Sequence, residues 1–130
     1  MVAGGFEPFY LRIFALDRAA LRQTYLELPY RKLPGFRTLL TESRKATPPG
    51  ARVALWLPSG RWESGYEYGY YRSVYLLAGR EVLPLLDDSS RFLPANLAAA
   101  DYVICWHCRP PFNGFEDILQ TPDGVLARKR

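Results

Sequence analysis

The sequence predicts an α/β fold, and three observations carry that expectation. Downstream of Gly50, short continuous apolar runs alternate with stretches of helical periodicity, which implies strands joined by crossover helices in a parallel core. The second of those runs contains Pro84, which cannot donate to a ladder and therefore belongs at a sheet edge. Near the end, two strand-like runs flank Thr121-Pro122-Asp123-Gly124, and Asp-Gly is a strong turn signal, so the chain should close with an antiparallel hairpin.

The elements follow in order. Asp17 is a plausible N-cap, and Leu21, Tyr25 and Leu28 fall at i, i+4 and i+7 before Pro29 stops the run. A second helix runs from Pro34 to about Ala46, with Phe36, Leu39 and Leu40 in one stripe, until Thr47-Pro48-Pro49-Gly50 breaks the chain. Val53 to Leu57 reads as a strand buried on both faces. Ser59 to Gly65 is a loop. From Tyr66 to Ala78 the pattern is helical, with Tyr71, Val74, Tyr75 and Ala78 on one face and Gly79 at the exit. Val82 to Leu86 is the edge strand, Asp87 to Ser90 a turn, and Pro94 suits the first turn of a short helix reaching Ala100. Asp101 to Trp106 is the third strand. Phe115 to Gln120 and Val125 to Arg128 form the hairpin.

The predicted architecture is a three-layer Rossmann-like sandwich with core strands in the order 2-1-3, then the hairpin. It is one domain, with a helical lead-in over residues 1–46 and an α/β unit over 47–130. The length of 130 residues suits a single domain and a core that needs neither metal nor disulfide. At 48% hydrophobic and 23% charged, the composition excludes disorder and low-complexity tracts. No apolar run is long enough for a membrane span and Met1 to Tyr10 is no signal peptide, so the chain as written is expected to be soluble.

Charge says little about partners. There are 17 basic and 13 acidic residues, for a formal +4, and all the basic residues except Lys32, Lys45 and Lys129 are Arg. They are interspersed with acids along the chain, whereas nucleic-acid binders cluster theirs, so no nucleic-acid partner is expected.

In open α/β sheets ligands bind beyond the carboxyl ends of the strands, where strand order reverses. That point lies between strands one and three. The loops leaving them carry Arg61, Trp62, Glu63, Trp106, His107 and Arg109, and Tyr66 follows closely. Aromatic rings with carboxylate and guanidinium groups suit a sugar or a phosphate; the same residues also serve as ordinary rim packing. The glycines of this loop match neither a dinucleotide fingerprint nor a phosphate loop, so no nucleotide cofactor is expected. Tyr66, Tyr68, Tyr70, Tyr71 and Tyr75 are crowded together and read mainly as packing against the sheet, with a contact surface as the alternative.

Cys105-Trp106-His107-Cys108 has the spacing of a redox pair, but it ends a late strand and is followed by Arg109-Pro110-Pro111. The competing reading makes Cys105 core and Cys108 loop. The pair is too close to build a disulfide framework, and with one His in the chain a structural zinc tetrahedron cannot be completed. Asp87 and Asp88 suit a turn and helix cap better than acid–base or metal chemistry. No catalytic residue, metal or cofactor is assigned.

Thr47-Pro48-Pro49-Gly50-Ala51-Arg52-Val53-Ala54, Tyr70-Tyr71-Arg72-Ser73-Val74-Tyr75-Leu76-Leu77, Arg80-Glu81-Val82, Asp101-Tyr102-Val103-Ile104 and the hairpin together resemble the soluble extracytoplasmic domain of bacterial polytopic membrane glycosyltransferases that use polyprenyl-phosphate sugars. The resemblance spans residues 35–130. It implies a non-catalytic accessory domain that covers, positions or binds an acceptor beside the membrane, because that family's catalytic acids lie in a loop near the membrane region and none can be carried over. Its implied partners are a membrane-embedded transferase region or a glycan acceptor, with Phe6 to Tyr30 packing near the membrane or a partner. The alternatives are a free-standing cytoplasmic ligand-binding or regulatory domain, dimeric with a second copy, and a thiol oxidoreductase using Cys105 and Cys108.

Overall fold

A computed structural model describes residues 33–130. The predicted helix from Asp17, and the packing of Phe6 to Tyr30, lie outside the described residues. The chain divides into two compact units between residues 31 and 32, and the helix predicted from Pro34 falls in the second. That helix, α1 (Phe36–Ala46), belongs to the α/β unit because Phe36, Leu39, Leu40 and Ser43 are all buried, an i, i+3, i+4, i+7 stripe.

Five strands form one mixed, open sheet: β1 (Arg52–Trp56), β2 (Glu81–Pro84), β3 (Tyr102–Trp106), β4 (Phe115–Thr121) and β5 (Gly124–Lys129), in the order β2-β1-β3-β5-β4. β1 runs parallel to both β2 and β3, with Val53 opposite Val82 and Tyr102, while β5 is antiparallel to β3 and β4. The edge position that Pro84 predicts is the observed one. The hairpin follows β3 as expected, with its second strand inside and its first at the rim. β4 presents Glu116, Asp117 and Gln120 at that open edge, and charged side chains there discourage pairing with another chain.

Two helices follow strands: α2 (Glu67–Leu76) links β1 to β2, and α3 (Pro94–Ala99), with proline in its first turn, links β2 to β3. Along β1 successive side chains turn to opposite faces. Ala54 joins Leu85, Ala100 and Val103 in one buried cluster, with Trp56, Leu97 and Phe112 packed against it.

α2 corrects the sequence reading. The face expected to pack, Tyr71, Val74 and Tyr75, is exposed, with Tyr75 at 76%. The buried face is instead Gly69 and Ser73, continued by Leu77. A Cβ at Gly69 would stand 3.3 Å from Leu33 Cδ1 and 3.5 Å from both Leu57 and Phe36, so α2 packs closely on the core at this position. The Ser73 hydroxyl donates to the Gly69 carbonyl at 2.8 Å and needs no other partner. Small residues go inward because they permit close approach, and the tyrosines are left facing water.

The hairpin loop is also narrower than Asp-Gly pairing suggests. Thr121 pairs with Gly124, so the loop is Pro122-Asp123, and proline's fixed negative φ excludes the turn with two left-handed residues. Gly124 is required for a different reason: a Cβ there would collide with the Cys105 carbonyl oxygen.

Candidate functional site

β1 is the strand from which the chain crosses to β2 on one side and later returns to β3 on the other. Beyond the carboxyl ends of β1 and β3 lies a cleft of about 520 Å³, and the residues around it include Ser59, Trp62, Glu63, Glu67, Tyr68 and Trp106. Its position is the one expected for a ligand in an open α/β sheet.

Local chain geometry builds this cleft. After β1, residues Trp62–Tyr66 form a wide helical turn that runs into α2, and Gly65 takes φ 108°, a conformation that favours glycine. The Trp62 amide donates to Ser90 Oγ at 2.7 Å, which ties the turn to the β2–α3 loop. The Trp62 ring lies 6.0 Å from Tyr66 and 6.3 Å from Tyr70. On the opposite wall the Trp106 indole N–H donates to the Pro34 carbonyl at 2.9 Å, leaving its ring edge-fixed.

Of the residues that the sequence singled out, Trp62, Glu63 and Trp106 line the cleft together. Tyr66 does not: it is fully buried, and its hydroxyl is engaged by backbone. Burial pushes its phenol well above the ordinary value of 10, outweighing the lowering effect of the Leu85 amide, so Tyr66 is a neutral core residue. Arg61 is exposed outside the lining. The His107 ring lies 4.3 Å from that of Trp106, tilted by 57°; the residue takes a left-handed φ of 52° and donates its amide to the Asp123 carbonyl at 2.9 Å. Its Nε2 is 4.0 Å from Asp123 Oδ1. Arg109 reaches Asp117 on β4 at 3.5 Å. His107 and Arg109 thus serve the hairpin side of the loop.

Glu67 and Tyr68 line the cleft but were not chosen as site residues. The spacing of Glu63 and Glu67, four apart at the entry to a helix, is the signal that would have paired them. Among the described residues neither carboxylate forms a hydrogen bond or an ion pair, so both keep their acceptor capacity.

Cys105 and Cys108 are joined by a disulfide, with Cα atoms 5.3 Å apart. Cys105 is buried in β3 and Cys108 is partly exposed in the following loop. The sulfurs are therefore bonded to each other rather than reading as separate core and loop thiols, and the bridge encloses Trp106 and His107. Among the described residues no three His, Cys, Asp or Glu side chains come together as a metal site. Asp87 is used as the turn residue the sequence suggests: its carboxylate accepts the Ser89 and Arg91 amides, each at 2.9 Å, and the Arg91 amide is the main reason its pKa lies below the usual carboxylate value. No helix among the described residues is long and apolar enough to cross a membrane.

Comparison with protein-family models, with curated proteins and with solved structures finds no match to this chain.

Proposed function

We propose that this chain is a non-catalytic α/β binding domain whose cleft beyond β1 and β3 holds a sugar, in keeping with its resemblance to the soluble domain of membrane glycosyltransferases. The observation that carries this reading is the joint lining of one cleft by Trp62, Tyr68 and Trp106 with the unpaired carboxylates of Glu63 and Glu67. Flat aromatic faces cover the apolar face of a pyranose, and carboxylates accept hydrogen bonds from its hydroxyl or amino groups. A concave site with apolar walls and a few polar groups is the usual form of a small-ligand site.

The Rossmann-like, three-layer arrangement is part of this proposal. Contact between α1 and α2, and the separate packing of α3 on β1 and β2 over the Ala54 cluster, support it. The accessory role beside a membrane-embedded transferase or its glycan acceptor rests on the sequence resemblance.

The test is a tryptophan-emission titration of the full chain with neutral and amino-sugar oligosaccharides, in parallel with W62A and W106A. Saturable spectral change that both substitutions remove is the expected result. No response to any sugar, or a response to a quaternary ammonium ion alone, rejects the sugar reading; the latter would make the rings and carboxylates a cation site.

A further inference from the structure

A second cleft, of about 470 Å³, lies at the amino-terminal end of β2, where α1 ends; it is lined by Arg37, Thr41, Arg44, Lys45, Leu76 and Arg80. Positions 37, 41, 44 and 45 share one face of α1, and Arg80 arrives from the turn before β2. Four cationic side chains therefore line it from two distant segments, and among the described residues no carboxylate is in the lining. The sequence showed these charges only as scattered; the packing of α1 beside the α2–β2 turn gathers them.

The hydrogen bonds separate structural from available donors. Arg80 Nε donates to Thr47 Oγ1 at 3.2 Å, one Nη to the Ala78 carbonyl at 3.4 Å, and the other to the Arg44 carbonyl at 2.8 Å and to the Thr47 carbonyl. Three of its N–H groups thus cap the end of α1 and a fourth binds the Ala78 carbonyl beyond α2, which covers carbonyls that would otherwise repel an anion. Arg44 uses only Nε, at 3.5 Å from the Ala78 carbonyl, and keeps both terminal nitrogens uncommitted. Lys45 gives one N–H to Glu42 at 3.3 Å and retains two. The Thr41 hydroxyl donates to the Arg37 carbonyl at 2.8 Å and so offers the cleft no proton.

We propose that this cleft binds a phosphate group, as a monoester or diphosphate, held by the planar fork of Arg44 and the ammonium of Lys45 beside the Arg80 cap. Such a group carries nearly two negative charges and several acceptor oxygens, which matches a bidentate guanidinium and a point charge. One recessed cleft suits a single phosphate group better than a polymer backbone, which needs a row of contacts. The phosphate can belong to a soluble ester or to a lipid headgroup.

The experiment titrates the full chain with inorganic pyrophosphate by calorimetry at physiological ionic strength, and measures co-sedimentation with phosphatidylcholine vesicles with and without phosphatidic acid. R44Q/K45Q removes the available donors and leaves the Arg80 cap in place; R109Q/R128Q removes equal charge elsewhere; K45Q serves if the double variant unfolds. We expect saturable binding that weakens on the order of tenfold or more in R44Q/K45Q, the loss expected from charge-assisted hydrogen bonds, and that persists in R109Q/R128Q. Pyrophosphate binding without vesicle binding identifies a soluble source; vesicle binding alone identifies the lipid. Binding of neither, equal weakening in both double variants, or tighter binding of nucleic acid than of pyrophosphate overturns the proposal.

Discussion

The Tyr66 hydroxyl accepts the Leu85 amide at 2.7 Å while donating to the Leu55 carbonyl at 2.5 Å. Leu55 lies in β1 and Leu85 follows Pro84, the last residue of β2. In the parallel register the Leu85 amide is the β2 donor that faces the Leu55 carbonyl, and the phenol sits between the two and bridges them at the end of the ladder. All three residues are buried, and each polar group there depends on the others.

Replacing Tyr66 by Phe keeps the ring and removes both links. The Leu85 amide and the Leu55 carbonyl then lie buried without their partner, at a cost of about 1–3 kcal/mol. We expect the melting temperature of Y66F to fall by roughly 5–15 °C. An unchanged melting temperature would show that these backbone groups find other partners.

The same phenol makes stability sensitive to alkali. Its folded pKa is raised above the ordinary 10, so in the unfolded chain Tyr66 loses its proton first and the folded state binds more protons. The stabilising contribution is therefore complete below pH 10 and declines as pH rises beyond it. Denaturant titrations from pH 9 upward should show the native protein losing stability faster than Y66F, with a difference in slope approaching about 1.4 kcal/mol per pH unit.

The disulfide should matter little to global stability. Cys105 and Cys108 close a loop of a few residues, and the chain-entropy model assigns such a loop at most about 2 kcal/mol. Urea unfolding with and without a reductant, and of C108A, should show a shift of that size with cooperativity retained. A larger loss would mean that the bridge also supports β3 packing.

Gly124→Ala tests a close approach. The added methyl would meet the Cys105 carbonyl oxygen, a backbone atom held in the β3–β5 ladder, so relief requires strand displacement. We expect a loss of about 1–3 kcal/mol in urea unfolding, typical of overpacking. Gly114→Ala, where nothing stands within 4 Å of the new Cβ but φ is 89°, separates backbone strain from collision.

Much of the frame was legible because it rests on local chemistry. Pro84 marks an edge wherever the strand goes, Pro94 opens a helix by its fixed φ, and Phe36, Leu39 and Leu40 share a face by helical period alone. The site was partly legible for the same reason: Trp62, Glu63 and Trp106 leave strands whose carboxyl ends are adjacent in the predicted order. Tyr66 was misplaced because the difference between a surface ring and a core ring is made by Leu55 and Leu85, distant in sequence.

Local pattern therefore determined the order and type of elements from Pro34 onward, including the parallel core and the closing hairpin, because turn residues and apolar period act over a few positions. Tertiary structure decided which face of α2 is buried, since Gly69 and Ser73 gain by closeness what Tyr71 and Tyr75 would gain by area. It also decided that Arg44, Lys45 and Arg80 meet in one cleft, and that the Tyr66 hydroxyl bridges Leu55 and Leu85. Those outcomes depend on distances between segments, which no spacing along the chain encodes.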